Sequence, residues 1–310
     1  MRSPEISVVM SVYEEPKEYL IQAIESILGQ TYKNFEFIIT IDNPEYKYKN
    51  ILEDYCNKDQ RVKLIYNKTN IGLTKSLNNA IEIVRGKYVA RQDVDDISLP
   101  QRLELQYNFL ENNPIYSIVG TNIRFVDDNG KFIKRISWPV THKDISRTMY
   151  KSNKLVHGTV LMKKEDLVSV GRYNGNLKYG QDYELWLRFL RNNKKIFVLS
   201  SELYYLRKHQ KSVTVKSAFH QSMMHFLIQK EIDFDKFNSK NIEVYLSMLK
   251  EKEKSYVYYM TSKIILRSNV AESLEYCKDS IRYYKYSIHT YLLFCYILMN
   301  MLFRKNTKHA

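Results

Sequence analysis

The fold of this chain is indicated by one stretch of sequence, Tyr88-Val89-Ala90-Arg91-Gln92-Asp93-Val94-Asp95-Asp96. Its first half has the apolar composition of a buried β-strand, and its second half is a cluster of carboxylates. Asp93 and Asp95 are two positions apart, so extended geometry at the strand end would place both side chains on one face. Two carboxylates that converge there repel each other unless a cation lies between them. The stretch therefore predicts a strand that ends at a site for a divalent cation, Mn²⁺ or Mg²⁺.

Strand and helix signals alternate on the amino-terminal side of this stretch. We predict strands over residues 6–12, 35–39 and 62–65 and helices over residues 19–30, 51–56 and 73–84. This βαβ series predicts a mainly parallel sheet flanked by helices, an α/β fold. In such a sheet, ligands bind outside the carboxyl ends of the strands, which is where Ser11, Asp42 and Asp93 fall. No glycine-rich phosphate-binding motif is present, so a phosphate site would depend on a metal ion and basic side chains.

The carboxyl-terminal side of the stretch predicts a change in architecture. A helix is expected from Pro100 to about residue 112, followed by a β-hairpin of residues 118–126 and 131–136 around Asp127-Asp128-Asn129-Gly130. The sheet should become mixed at this hairpin. After Arg207 and the histidine at 209, only helical patterns remain. We therefore predict one α/β domain over residues 1–212 and a helical region over residues 213–310.

A second acidic site is predicted at Asp182, which opens a helical pattern. Aspartate at a helix start commonly caps the helix, and that alternative stays open. Glu184 and Arg188 are spaced to form an ion pair on the helix surface. We therefore assign Asp182, and not Glu184, as the group that takes a proton from an attacking nucleophile. His157 is a candidate ligand group, with a structural hydrogen-bonding role as the alternative.

Composition restricts the classes of protein and of partner. The chain has 310 residues, 44% of them hydrophobic, and a formal net charge of +14, which favours a folded protein with anionic partners. No recognisable nucleic-acid-binding motif accompanies the lysines, and the 26 tyrosines are scattered along the sequence, so no nucleic acid is expected as a partner. The three cysteines have no metal-ligand spacing, and we expect small buried side chains in a reducing compartment.

The two ends of the chain bear on localisation. Strand pattern begins at Ile6, which leaves no room for a signal peptide and predicts a cytoplasmic protein. Residues 286–303 carry no formal charge and are followed by Arg304 and Lys305. This run falls short of the length of a spanning helix. It predicts either a helix docked on the protein or a partner, or an interfacial helix on the anionic inner face of the cytoplasmic membrane.

Taken together, these segments resemble the inverting glycosyltransferases of family two, which have the GT-A fold, a Rossmann-like mixed sheet. The matching segments are residues 7–13, 26–32, 42–43, 70–78, 90–96 and 182–186. Their order and spacing cover roughly residues 5–210. One departure is Gln181, where many relatives carry an acid.

The resemblance implies roles for individual residues on the donor side. The residues that would bind the nucleotide sugar are Ser11, Tyr13, Asp42, Lys75, Asp93, Trp186 and Arg207. Asp42 would accept a hydrogen bond from uracil, and Lys75 would lie near the diphosphate. Asp93 would face the ribose and the donor sugar. Trp186 would help shape the sugar and acceptor pocket, and Arg207 belongs to a segment that closes over the diphosphate in relatives.

The resemblance also implies the metal site and the reaction. Asp95 would hold the metal ion, with His209 as a further metal ligand, and Asp182 would deprotonate the acceptor hydroxyl. The donor would be a UDP-sugar and the acceptor a glycan or lipid-linked oligosaccharide of a surface polysaccharide such as capsule or O-antigen. A non-catalytic nucleotide-sugar-binding or scaffolding subunit is the alternative. The sequence does not specify the sugar or the oligomeric state.

Overall fold

The computed structural model describes residues 3–137, 141–208, 217–230, 242–266 and 269–306. The chain divides into two compact units, Met1–Lys208 and His209–Ala310. The first unit holds the sheet and the helices around it. The second unit is helical in its described residues.

The first unit is built on a nine-stranded sheet. Its strands are β1 (Ile6–Val12), β2 (Phe35–Ile41), β3 (Val62–Tyr66), β4 (Tyr88–Arg91), β5 (Ile97–Ser98), β6 (Tyr116–Val126), β7 (Phe132–Ile136), β8 (Leu161–Lys163) and β9 (Lys195–Arg207). They follow the order β3-β2-β1-β4-β8-β6-β9-β5, and β7 pairs with β6 outside this path. The helices of this unit are α1 (Lys17–Leu28), α2 (Lys49–Lys58), α3 (Leu73–Ile83), α4 (Arg102–Asn112), α5 (His142–Met149), α6 (Lys164–Ser169) and α7 (Gln181–Arg191), with a 3-10 turn at His157–Thr159.

The first four strands form the parallel half of the sheet. β1 lies between β2 and β4, and every residue of these three strands is buried. Mostly apolar strands that are buried along their whole length are expected where helices cover both faces of a parallel sheet. The predicted βαβ series is confirmed here, with helix and strand ends within about two residues of those expected from the sequence, which is the usual uncertainty of a boundary.

The remaining strands make the sheet mixed, as predicted. β6 and β7 form the expected antiparallel hairpin. β6 also pairs antiparallel with β8 and parallel with β9. β4 joins the two halves, because it pairs parallel with β1 on one side and antiparallel with β8 on the other. The loop after β4, which holds the acidic cluster, therefore lies where the pairing direction reverses.

The second unit contains α8 (Ala218–Gln229), α9 (Ile242–Met248), α10 (Glu251–Ile265), α11 (Val270–Tyr283) and α12 (Ile288–Asn306). A seam of buried hydroxyl groups joins α10 to α11, with Ser255 Oγ 3.0 Å from Ser280 Oγ and Ser262 Oγ 3.1 Å from Ser273 Oγ. These small side chains allow the two helix backbones to approach closely. Among the described residues of this unit no strand is present.

The second unit contains an aromatic cluster and an exposed cysteine. In the cluster, the rings of Tyr258, Tyr276 and Tyr283 join Phe219, with centroids 5.2 to 6.1 Å apart. Residues far apart in the sequence meet there because three helices converge. The cysteines are not all buried, since Cys295 is exposed on α12.

Candidate active site

The carboxyl ends of the parallel strands bring together the residues predicted for the donor site. Ser11 is a buried residue at the end of β1, Asp42 follows β2 directly, and Asp93 follows β4 after one residue. Tyr13 lies just beyond β1 and is exposed. The amide of the Asn43 side chain donates to the Tyr13 carbonyl at 3.1 Å, which ties the ends of β1 and β2 together.

Asp42 organises the loop between β3 and α3. Its Oδ1 accepts hydrogen bonds from Asn67 Nδ2 at 2.8 Å and from the Ile71 backbone N–H at 2.9 Å. Its Oδ2 accepts from the Gly72 N–H at 2.8 Å. A carboxylate oxygen has two lone pairs, so Oδ2 has room for one more donor. This arrangement sets the start of α3, which carries the exposed Lys75, and the contact of Asp42 with uracil stays a prediction.

Asp93 is held by a buried arginine. Arg91 Nη2 lies 2.6 Å from Asp93 Oδ1, and the Arg91 side chain is 1% exposed. The side chain of Gln92 supports the same loop, because its Nε2 donates to the carbonyls of Asp93 and Asp96 at 2.8 and 3.0 Å. Asp93 itself is partly exposed. It is therefore a fixed carboxylate that can reach a ligand.

Asp96 joins the acidic loop to β9. Its Oδ1 accepts from the Arg207 backbone N–H at 2.8 Å. Burial raises the pKa of Asp96 well above its usual value, and the charges of Asp95 and Asp93 act in the same direction. Asp96 is thus a structural carboxyl group, a role that the sequence did not reveal.

Arg207 supports the loop from the other side. Its Nε donates to the Asp95 carbonyl at 2.9 Å, its Nη1 to the Asp128 carbonyl at 2.7 Å and its Nη2 to Gln22 Oε1 at 2.5 Å. The guanidinium also stacks over the ring of Tyr19. With a further bond from Nη1 to the Asp127 carbonyl at 3.2 Å, four of the five N–H donors of the guanidinium are engaged, and Arg207 is 3% exposed. The predicted contact with a diphosphate stays a prediction.

Asp182 is the second residue of α7, and the preceding Gly180 has the left-handed backbone that starts this helix, with φ of 69°. Asn153 Nδ2 donates to Asp182 Oδ2 at 2.8 Å. The neighbouring Glu184 forms the predicted ion pair with Arg188 at 2.6 Å. The pair is not on the surface as expected, because Glu184 is buried. Arg188 also donates to the carbonyl of Val170. This bond holds the Glu184–Arg188 ion pair against the loop that precedes α7.

His157 opens the 3-10 turn that precedes β8. Its pKa is lowered to about 4, mainly by burial and also by the charge of Arg91, whereas the carboxylates of Asp93 and Asp182 act in the opposite direction. Its Nε2 is 2.7 Å from the hydroxyl of Tyr173, and the same three charged groups act on that hydroxyl. The next residue, Gly158, lies against Asp93, and the ring of Trp186, one turn after Asp182 on α7, is 6.2 Å from the His157 ring. The 3-10 turn therefore lies near both Asp93 and the start of α7.

Gly158 shows how closely the backbone approaches this centre. A Cβ at this position would lie 2.8 Å from Asp93 Oδ2 and 2.0 Å from the Tyr204 hydroxyl oxygen. Only glycine fits without movement of one of these groups. The carbonyl of Gly158 accepts a hydrogen bond from the buried Arg102.

Trp186 lies one helical turn after Asp182 and is fully buried. Its ring is 6.2 Å from that of His157, and no hydrogen-bond partner is found for its indole nitrogen among the described residues. Trp186 therefore packs against His157 in an edge-to-face arrangement. The predicted role of Trp186 in shaping the sugar pocket would act through His157.

Asp95 is the residue predicted to hold a metal ion. Asp95 is partly exposed, and its charge acts on Glu15, whose pKa is raised mainly by burial. In the part of the chain that the structure describes, no three His, Cys, Asp or Glu side chains are grouped to hold a metal. Mg²⁺ and Mn²⁺ commonly bind one or two carboxylates with substrate phosphate oxygens and water, so a single carboxylate at Asp95 fits such an ion. The second predicted ligand, His209, lies outside the described residues.

Comparisons with known proteins give the family and the relatives of this chain. Residues 7–171 match glycosyl transferase family 2. The chain is 32% identical over 306 residues to the glycosyltransferase MJ1057 of Methanocaldococcus jannaschii, which covers 98% of this chain and 92% of that protein. It is 38% identical over 216 residues to the O-antigen biosynthesis glycosyltransferase WbnJ of Escherichia coli, covering 69% of this chain and 83% of that one.

Among solved structures, S. aureus TarS 1–349 in complex with UDP-GlcNAc aligns with a TM-score of 0.60 at 17% identity, over 97% of this chain and 92% of that one. This likeness concerns the fold, which is GT-A. The chain belongs to glycosyl transferase family 2 and is a glycosyltransferase, as the sequence motifs indicated.

Several residues that build this site were not found from the sequence. Asn153, Tyr173 and Tyr204 carry no motif, and their roles come from contacts with residues 16 to 111 positions away. Arg91 stands inside the quoted acidic stretch as the last residue of β4, and its position in a buried strand was a signal. A charged residue in an otherwise apolar strand needs a partner, and Asp93 is that partner.

Proposed function

We propose that this protein transfers a sugar from a UDP-sugar to a hydroxyl group of a glycan or lipid-linked glycan in polysaccharide synthesis, with inversion at the anomeric carbon. The observation that carries the proposal is that one short stretch of chain contacts both acidic sites, Asp182 through Asn153 and Asp93 through Gly158. Asp93 would serve the donor and Asp182 the acceptor from the two ends of this stretch. The names of the relatives and the UDP-GlcNAc complex of TarS support the substrate class.

In the proposed reaction, Asp182 takes the proton of the acceptor hydroxyl as its oxygen attacks the anomeric carbon. The bond between that carbon and the diphosphate oxygen breaks, and its electron pair leaves with UDP. Asp93, fixed by Arg91, orients the ribose and the donor sugar. Asp42 binds the uracil ring, and Lys75 places a positive charge beside the departing diphosphate.

Asp95 is the residue proposed to hold Mg²⁺ or Mn²⁺, with His209 as a second ligand. The ion, when bound, would stabilise the negative charge that develops on the departing UDP. The chain's own contribution is to keep the Asp95 loop in place, which Arg207 does through the Asp95 carbonyl.

The transfer is tested with purified protein and a panel of UDP-sugars and other nucleotide sugars, with glycan acceptors and with Mn²⁺ or Mg²⁺. We expect release of UDP from a UDP-sugar only when both the acceptor and the divalent ion are present. Release of UDP without acceptor, or turnover of a different nucleotide sugar alone, would contradict the proposed substrate class.

We further propose that α12 attaches the protein to an anionic membrane surface, which would place it beside a lipid-linked acceptor. None of the helices in the described part of the chain is long and apolar enough to cross a membrane. α12 buries Thr290 and Ile297, and its exposed apolar residues are Ile288, Tyr291, Leu292, Tyr296 and Leu298. No acid follows Asp279 in the sequence, and Arg304 and Lys305 lie in the last turn of the helix. An apolar face combined with flanking cations is typical of interfacial helices.

Flotation with vesicles of phosphatidylserine and phosphatidylcholine tests the attachment. The double variant Ile288→Gln/Leu292→Gln should bind about tenfold more weakly or worse, because two apolar side chains no longer enter the lipid. Its control is Ile83→Gln/Ile115→Gln, which changes two exposed isoleucines of the first unit and should bind as the wild type does. Equal binding by both variants, or equal binding to vesicles without phosphatidylserine, would contradict the attachment.

A further inference from the structure

The stretch from Met149, the last residue of α5, to Gly158 in the 3-10 turn runs alongside α7 and touches both acidic sites. At its start, the Tyr183 hydroxyl donates to the Met149 carbonyl at 2.7 Å. Asn153 then contacts Asp182, and Gly158 approaches Asp93. One short segment thus lies against the carboxylate on the acceptor side and the carboxylate on the donor side.

The orientation of Asn153 is set by the chain. Its Oδ1 accepts from the Leu155 backbone N–H at 3.1 Å, so its Nδ2 faces Asp182 Oδ2, 2.8 Å away. Among the residues that the structure describes, this is the one side-chain hydrogen bond to the Asp182 carboxylate. Oδ2 is therefore engaged by Asn153, and Oδ1 is left to receive a proton.

The amide of asparagine suits this task chemically. A neutral N–H donor orients a carboxylate without placing a second titratable charge beside it. A carboxylate in the place of Asn153 would repel the ionised form of Asp182, and a hydrophobic residue would leave its rotation unrestrained. Angular placement matters here, since misplacement of a reacting group by 1 Å can lower a rate by about 100-fold.

We infer that Asn153 is a positioning residue for the base Asp182, an inference that rests on the proposed glycosyl transfer. It holds Oδ2 of Asp182 so that Oδ1 points toward the acceptor hydroxyl. The segment that carries Asn153 is anchored independently of it, because Leu155 is buried and packs against Gly120, where a Cβ would lie 2.3 Å from Leu155 Cδ1. Substitution of Asn153 should therefore leave the segment in place.

The test compares Asn153→Ala and Asn153→Asp with the wild type. For Asn153→Ala we expect kcat to fall by about 10- to 100-fold with the KM for the UDP-sugar changed by less than about twofold, because the donor side is untouched. For Asn153→Asp we expect the acidic limb of the kcat profile to move up by roughly one pH unit or more, because two adjacent carboxylates resist ionising together. A purely structural role would not move this limb.

The matched control is Asn57→Asp, which adds the same charge on an exposed position of α2 and should leave the pH profile unchanged. Circular dichroism and the melting temperature establish that each variant is folded, and Asn153→Ser provides a second neutral substitution if one is not. Wild-type pH profiles and wild-type kcat in all Asn153 variants would overturn the inference. If Asp182→Asn still transferred sugar at the ordinary rate, the base assignment itself would fail, which is a separate outcome.

Discussion

Gly158→Ala is the substitution whose effect is most directly set by the geometry of the site. The added methyl group would lie 2.0 Å from the Tyr204 hydroxyl oxygen, 2.5 Å from Tyr204 Cζ and 2.8 Å from Asp93 Oδ2. Contacts between carbon and these atoms normally exceed 3 Å, so a shift of about 1 Å is needed. Tyr204 is fully buried and its hydroxyl accepts from the Asp93 N–H at 3.2 Å, so it cannot swing away without loss of a bond to the acidic loop.

The expected cost has two parts. Overpacking of a buried contact typically lowers the free energy of unfolding by about 1 to 3 kcal/mol, and this contact is at the severe end of that range. Displacement of Asp93 by about 1 Å should lower kcat/KM for the UDP-sugar by about 100-fold. Urea unfolding measures the first quantity, and steady-state transfer measures the second.

Gly175→Ala is the matched control. Its Cβ would meet Lys75 Cγ at an ordinary distance of 3.9 Å, near the same site, so stability and activity should stay close to those of the wild type. A Gly158→Ala protein with wild-type stability and wild-type kcat/KM would refute the reasoning that the backbone at Gly158 is pressed against Asp93 and Tyr204.

Three further predictions concern charge. Burial alone would raise the pKa of Glu36, but hydrogen bonds from Lys63, Ser7 and Arg85 lower it to about 2. The ionised form of Glu36 therefore stabilises the fold above about pH 4.5, and this contribution is lost as the pH falls toward 2. Glu36→Gln should therefore lower the free energy of unfolding by about 3 kcal/mol at pH 7 and flatten its decline between pH 5 and pH 2, measured by urea titration; an unchanged acid dependence would contradict this. Arg91→Lys should raise the KM for the donor by about tenfold, because lysine cannot keep the guanidinium geometry that holds Asp93, and an unchanged KM would contradict that role. Chelation of divalent ions should abolish transfer, and Mn²⁺ should restore it in the wild type at much lower concentration than in Asp95→Asn; equal requirements would remove Asp95 from the metal site.

The parts of the fold that were predictable are those in which local pattern and tertiary position agree. The strands β1 to β4 are short apolar runs with helical patterns between them, and the turn Asp127-Asp128-Asn129-Gly130 marks the β6–β7 hairpin. The strands β5 and β8 have only two and three residues, too few for a periodic signal. β9 has 13 residues but pairs parallel with β6, about 80 positions away, and such long-range pairing is not encoded in local sequence.

Some residues of the candidate site could be proposed from the sequence, and others could not. Asp93, Asp95 and Asp182 could be proposed from the sequence because they fall in the segments that resemble the family, after a strand and at a helix start. Glu184 was misjudged because helical spacing alone does not tell which face is covered, and here the loop before α7 covers it. Asn153 could not be identified, since its role depends on a contact 29 positions away.

The central claim is that Asp182 acts on the acceptor while the donor is bound by separate residues. It is tested most directly by Asp182→Asn, for which donor binding is measured by calorimetry with the UDP-sugar and transfer is measured under single-turnover conditions. We predict a dissociation constant for the donor within about twofold of the wild type and a transfer rate lower by about 10² to 10⁴, the usual contribution of a general base. Transfer at the wild-type rate, or a loss of donor binding large enough to explain the lost activity, would contradict the account.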